Sequence, residues 1–452
     1  LLTTQILSRI QFAYMITFHY IYPPLSIGLS IALIWMCYMY MKEPSEKWET
    51  QLKFWIRVFA LTFALGVATG VPMQFSLGTN WSRYSRFVGD VFGGILGAEG
   101  VFAFAMEAGF LGVLLFGWKK VSAKVHLLAA VMVSLGAHLS GFWIVAANSW
   151  MHTPAGHHLA QGRGGETVAK VTNWWDVVFN HSTMVQFTHV TLSAWLSGAF
   201  LMMSVAAYYM LKRRHTNFAK LSMKIGLVIA TVSAVLQLVS ADRLGKVIAK
   251  YNPVKMAAFE GVFETEEYTP AYGLGWVDMK EGKTYGLGAP GMLSFLVHSD
   301  FKTPVPGLNE FPREEWPNVP VVFQLYHIMV AFFGFIVIAV ALGLYLWRKQ
   351  WEGKPWMYKI LIASVAFPQI ASLSGWYSAC MGRQPWIVHG LLKTKDAFSP
   401  TVTPTQALIS LIMFFTIYTG FFVLFCFLLD RKIKHGPALT KDESEFRDRY
   451  EA

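Results

Sequence analysis

Nine stretches of this chain are apolar for eighteen residues or more: roughly 12–41, 54–78, 94–118, 125–149, 185–211, 221–241, 321–347, 358–378 and 407–429. Runs of that length span the hydrocarbon core of a bilayer as helices, because inside lipid every backbone polar group must find its partner within its own segment. Only 14% of residues are charged, against about 25% in soluble domains. The pattern predicts an all-α polytopic membrane protein with nine transmembrane helices. The first stretch starts too abruptly and runs too long for a cleaved signal peptide.

The net charge of +11 is a matter of topology and does not call for a nucleic-acid partner. Alternate connections hold Lys42/Lys47/Lys53, Lys119/Lys120/Lys124, Lys212/Arg213/Arg214/Lys220/Lys224 and Arg348/Lys349/Lys354/Lys359, and Arg431/Lys432/Lys434 follow the last span. The other connections mix signs. By the positive-inside rule the N-terminus is outside and the C-terminus cytoplasmic. The chain then divides into helices 1–6 (1–241), a long outer loop (242–320), helices 7–9 (321–430) and a cytoplasmic tail (431–452). The loop's aliphatic and aromatic content argues against disorder and for a folded lid. Cys37, Cys380 and Cys426 are too scattered to form a disulfide framework.

Helix direction sorts the polar residues. His19, just before Pro23-Pro24 and the bend they impose, lies early in an inward-running span, as do Glu99, His189, His327 and Met329. Cys380 and Arg383, in the stretch GWYSACMGRQPW that also carries Trp376 and Trp386, lie late in an outward-running span. All of these therefore gather toward one side of the bilayer. Glu99 and Glu107, eight residues apart on one helix, line one path about 12 Å long without sharing a metal. Buried carboxylates in lipid are costly and suit proton handling. His138, mid-span, suits either a functional network or an interhelical hydrogen bond. Imidazoles and a thioether suit haem iron, and a nearby arginine suits haem propionates. These features fit a membrane redox protein with an outer-side haem site or a proton-coupled transporter.

Over nearly its whole length the chain also resembles subunit I of the cytochrome bd quinol oxidases. The matching segments are RIQFAYMITFHYIYPPLSIGLS, GTNWSRYSRFVGDVFG, AEGVFAFAMEAGFLGVLLFGW, LSGFWIVAANSWMHTPAG, FTHVTLSAW, PVKMAAFEG and GWYSACMGRQPW. The resemblance implies a nine-span subunit of the bacterial cytoplasmic membrane whose 242–320 region binds quinol, ubiquinol or menaquinol. Electrons would pass from quinol through a low-spin haem b and further high-spin haems, b or d, to oxygen. It also implies a second membrane subunit, with a small single-span subunit as a further partner.

By residue, the resemblance makes His189 and Met329 axial ligands of the low-spin haem and His19 a ligand of a high-spin haem. Glu99 and Glu107 become carboxylates that deliver protons or contact those haems, with Glu107 on the inward route. Lys255 and Glu260 become a quinol-loop pair, and Arg383 and Trp386 the haem-side arginine and aromatic. Two positions depart from the family pattern. Cys380 stands where a glutamate normally ligates a high-spin haem, so thiolate ligation, or an altered haem set with another electron acceptor, is the alternative. His327 stands where an arginine is usual, two residues before the ligand methionine.

Overall fold

A computed structural model describes residues 3–100, 105–118, 120–162 and 164–438. The first apolar stretch is two helices, α1 (Thr4–His19) and α2 (Tyr22–Lys42). The break follows from Pro23 and Pro24, which occupy the first turn of α2, where a missing N–H leaves no bond unmade. His19 thus closes α1 at the bend expected from the sequence. Next comes α3 (Glu46–Asn80), whose 35 residues reach about 52 Å and overshoot a hydrocarbon core of about 30 Å. Two short helices follow, α4 (Ser82–Phe87) and α5 (Gly89–Ala98), and then α6 (Ala105–Phe116).

The third expected span, 94–118, therefore falls on two short apolar helices, and residues 101–104 between them lie outside the described residues. Among the described residues, eight helical stretches are long and apolar enough to cross a membrane. The eight other expected spans correspond to these. After α6 come α7 (Ala123–His152), the hairpin β1 (His157–Gln161) with β2 (Thr167–Val171), α8 (Trp174–Val178), α9 (Thr183–Leu211) and α10 (Thr216–Tyr251).

Helix α10 continues ten residues past the expected start of the outer loop at 242. The loop itself is ordered. Helix α11 (Pro253–Glu260) is capped by Asn252, whose side chain accepts from the Lys255 N–H. It stops at Gly261, a left-handed residue with φ +67°. The antiparallel hairpin β3 (Ala271–Asp278) and β4 (Lys283–Ala289) follows, then α12 (Met292–His298). Leu308, Val319 and Val322 pack this region onto the start of α13 (Val319–Arg348). Helices α14 (Pro355–Ala363) and α15 (Ala366–Met381) form the next span and lead into the small hairpin β5 (Trp386–Val388) and β6 (Leu392–Lys393). The last helix, α16 (Pro404–His435), begins with a capping box between Thr403 and Gln406. It extends into the expected tail, of which 439–452 lie outside the described residues.

Helices α2 and α9 cross with their backbones in contact. A β-carbon on Gly28 would overlap the Ala194 carbonyl, and one on Gly198 would overlap Gly28 itself. Small residues at a crossing let membrane helices approach closely, where dispersion rather than water release drives association. Around this crossing Phe200, Met202, Met203, Trp55 and Phe59 form the main core. A second cluster, including Trp81, Tyr84, Trp150 and Phe398, joins the end of α3, the end of α7 and the segment after β6. That cluster fixes the end of the bundle from which the candidate site is built.

Candidate functional site

The histidines of the spans are held in particular tautomers by their neighbours. The His189 Nδ1 lies 3.1 Å from Ser240 Oγ, and that hydroxyl spends its own hydrogen on the Gln237 carbonyl at 3.0 Å. Nδ1 must then carry the proton, and the Nε2 lone pair accepts from the Gln237 amide, which would have to yield it to any further partner. The Gln237 amide nitrogen stands 3.2 Å from each ring nitrogen. His19 repeats the device: its Nδ1 lies 3.0 Å from Thr69 Oγ1, which donates to the Leu65 carbonyl at 2.7 Å. An imidazole with its Nδ1–H pinned is oriented to offer Nε2 to a metal, and of the two His19 has no hydrogen-bond partner on that nitrogen among the described residues. His138 differs, with Nδ1 bonded to the Ser134 carbonyl at 2.7 Å and Nε2 accepting from Trp195 Nε1 at 2.9 Å. Both of its nitrogens are used, so it is the interhelical bridge between α7 and α9.

A cavity of about 390 Å³ opens between α7, α9, α10, α11, α13 and α15. His189, Met329, Cys380, Trp376 and Lys255 all line it, and so do Asn148 and His152, which the sequence reading gave no role. Across from Met329 stands Gly375, also on the cavity wall. Cys380 is hydrogen-bonded to the Asn148 side chain. His19, Glu99, Glu107 and His327 are not among the lining residues. The expected gathering on one side is therefore resolved into a central cavity and several separate positions.

His152 and Lys255 line the cavity and Arg383 does not; Arg383 Nη1 lies 3.1 Å from His152 Nε2, and Lys255 Nζ lies 3.5 Å from His152 Nδ1. Both cations are buried, and neither pairs with a carboxylate among the described residues. Arg383 Nε has no partner at all among the described residues. Burial, with Arg383 close by, brings Lys255 down to about 7. Glu260, on the same helix, faces elsewhere. Five residues separate it from Lys255, about 140° around the helix. Its carboxylate accepts from the Tyr326 hydroxyl, and burial nevertheless pushes it up to about 7.

Glu99 accepts from Ser140 Oγ at 2.8 Å, and its second oxygen is buried without a partner among the described residues. Glu107 is buried on α6. Their eight-residue spacing runs across 101–104, so the single helical path expected between them lies partly outside the described residues. His327 has Nδ1 2.8 Å from the Phe323 carbonyl and Nε2 2.6 Å from the Tyr272 carbonyl, on β3. Trp386 stacks beneath Lys393, whose Nζ is 5.1 Å from the ring.

Residues 7–437 match the family described as cytochrome bd terminal oxidase subunit I. The chain belongs to that family. It is 36% identical over 445 residues to the cytochrome bd ubiquinol oxidase subunit 1 of Bacillus subtilis (strain 168), covering 95% of this chain and 94% of that one. It is 30% identical over 506 residues to the cytochrome bd-II ubiquinol oxidase subunit 1 of Escherichia coli (strain K12), covering 97% and 98%. The fold matches the bd oxidase structure from Geobacillus thermodenitrificans with a TM-score of 0.88 and 28% identity, over 96% of this chain and 99% of that one.

The cytochrome bd family implies haem, and the cavity fits it. An imidazole and a thioether reach the same space from different helices, and a buried guanidinium with an orphaned nitrogen is bonded to His152 on the cavity wall. Among the described residues there is no group of three or more His, Cys, Asp and Glu side chains suited to a bare metal ion. Haem iron needs at most two protein donors, so the donor set agrees with haem. The contacts of His152, Gly375, Gln237 and Ser240 were missed: His152 and Gly375 fall within LSGFWIVAANSWMHTPAG and GWYSACMGRQPW, but a local segment does not say what another helix places against it. They matter only through neighbours on other helices.

Proposed function

We propose that this chain holds the quinol-oxidising site and the haems of a cytochrome bd oxidase. The activity is that of a haem-dependent quinol:oxygen oxidoreductase, in which electrons from a membrane quinol reduce oxygen. The observation that carries the residue assignment is that His189, Met329, His152 and Lys255 line one cavity, with the buried Arg383 bonded to His152 and its Nε without a partner among the described residues. His189 Nε2 and the Met329 thioether would hold a low-spin haem b, and Arg383 would meet its propionates. Such a haem, when bound, supplies a one-electron acceptor with no position open to oxygen. Trp376 walls the cavity, and Trp386 lies just past Arg383.

His19, with Nδ1 pinned by Thr69, would ligate a further, high-spin haem. Glu99 and Glu107 would serve it as proton carriers, the orphaned Glu99 oxygen supporting this. Lys255 would hydrogen-bond a quinone oxygen, and Glu260 would accept a quinol proton. For Cys380, the contact with Asn148 favours a small buried residue over a thiolate ligand. One or two high-spin haems, b or d, complete the set.

The same reading counts α5, α6 and the residues between them as one of nine spans. It places the N-terminus outside, the C-terminus in the cytoplasm of a bacterial cell, and residues 242–320 as the outer quinol loop. The apolar faces left on the bundle would meet lipid, a second membrane subunit and a small single-span subunit. The domain limits 1–241, 242–320, 321–430 and 431–452 follow.

Haem extraction from the purified complex, with reduced-minus-oxidised spectra of the parent and of Met329→Leu, tests this assignment. The parent should show a low-spin b-type band that Met329→Leu abolishes or converts to high spin. An unchanged low-spin band in Met329→Leu would reject the ligand pair.

A further inference from the structure

His152, the last residue of α7, has a cationic side chain on each ring nitrogen: Arg383 Nη1 at 3.1 Å from Nε2 and Lys255 Nζ at 3.5 Å from Nδ1. A neutral imidazole has one lone pair to offer, so it accepts from only one of them. Arg383 keeps its proton in any protein setting and is the nearer, so it takes Nε2. Nδ1 must then carry the hydrogen, and that hydrogen faces Lys255. An N–H aimed at an ammonium repels it, whereas a free amine accepts it.

We propose that His152 is a positioning residue for quinol oxidation, which, clamped at Nε2 by Arg383, presents Nδ1–H to Lys255 and holds that side chain as a free amine on the cavity wall. The proposal rests on the quinol-site reading above. Lys255 is 3% exposed, and no carboxylate among the described residues pairs with it. The groups that act on it come from three elements: His152 from α7, Cys380 from α15, and Arg383 from the segment after α15. His389, from the β5–β6 turn, acts on His152 in turn. Burial and Arg383 already bring Lys255 to about 7, and Cys380 opposes them.

A free amine on the cavity wall presents N–H donors to a quinone oxygen. It also has a lone pair that takes up a quinol hydroxyl proton once the long Nδ1 contact is released. The amine becomes an ammonium and the quinol a quinolate, whose electrons leave by the established oxidase reaction. His152 therefore sets which proton form of Lys255 meets the substrate.

The test uses the intact purified complex with decylubiquinol and menadiol as probes, following oxygen uptake from pH 5.5 to 9 and the haem spectrum in parallel. His152→Ala should lower kcat/KM about tenfold, the loss expected for one hydrogen bond to a charged or ionisable group. It should also move the acid limb of the kcat/KM profile upward in pH, because Lys255 then keeps its proton longer. His152→Gln, whose amide both accepts and donates, should restore kcat/KM to within about threefold and return the limb. The low-spin haem band should stay at full occupancy in both. An unchanged acid limb in His152→Ala, or haem loss in both variants, overturns the proposal. A parent complex that carries haem and oxidises neither quinol would overturn the quinol-site reading, and this proposal with it.

Discussion

Gly375 on α15 faces the Met329 thioether so closely that a β-carbon at 375 would stand 2.6 Å from Sδ. The glycine is what leaves the sulfur room to reach the cavity. Gly375→Ala should push Met329 off its position and cost about 1–3 kcal/mol in packing. The expected result is a low-spin haem band lost or converted to high spin, with the polypeptide still assembled in the membrane. Reduced-minus-oxidised spectra, normalised to total haem, read this directly.

Glu260 is buried and pushed up to about 7, so it carries its proton below that pH and is a base above it. If it accepts a quinol proton, kcat/KM climbs as pH rises through about 7. Glu260→Gln should lower kcat/KM at least tenfold and flatten that limb. The stability sign is separate. The folded-state value lies above the unfolded one, so the stability tied to the protonated form is present below about 4.5 and is lost as pH rises toward about 7. The Gln variant should therefore be the more heat-resistant protein at pH 8, measured by thermal unfolding in detergent.

His327 does not face the cavity. Both of its ring nitrogens meet carbonyl oxygens, one from its own helix and one from Tyr272 on β3, and Gln324 adds a bond to the Gly275 carbonyl at 2.8 Å. The residue thereby fastens the β3–β4 hairpin of the outer loop to the first turns of α13. His327→Ala should release the hairpin at a cost of about 1–2 kcal/mol. Hydrogen exchange over 271–289 should accelerate roughly five- to thirtyfold relative to the parent. The low-spin haem band should remain, because Met329 points elsewhere. A lost band with unchanged exchange would place His327 at the haem instead.

Eight of the spans, the bend after His19 and the folded elements within 242–320 were legible because hydropathy runs, proline and composition act locally. That His189 and Met329 reach one cavity was legible only through helix direction and family resemblance, since the two lie 140 residues apart. The same reading overestimated the pairing of Lys255 with Glu260, since five residues along a helix turn two side chains to different faces. It also gave His327 a place beside the haem, although its nearest acceptors lie in the backbone. The contacts made by Gly375, His152 and Ser240 could not be read. Each acts by what another helix places against it, and one chain's local periodicity carries no record of that.

Cys380 lines the same cavity as His189 and Met329, with Asn148 hydrogen-bonded to its thiol and Lys255 and Arg383 nearby. A thiolate on haem iron would alter its electronic spectrum strongly, because the sulfur pushes charge onto the metal. A thiol held by an amide would not. Cys380→Ser keeps the size and the hydrogen bond while removing the soft donor. If the cysteine is a packing residue, the variant should give the parent's reduced spectrum and the parent's carbon monoxide difference spectrum, with equal haem per complex. A thiolate ligand would instead show itself as a shifted or missing high-spin component in the serine variant. Cys380→Glu completes the comparison by placing a carboxylate beside the buried Arg383, which lacks one among the described residues, and beside the Lys255 amine. Its attraction to Arg383 should stabilise the protein by up to a few kcal/mol as an ion pair, because the partner charge is already buried and desolvated. A gain in carbon monoxide-binding haem in that variant would show that a carboxylate at position 380 can ligate a high-spin haem.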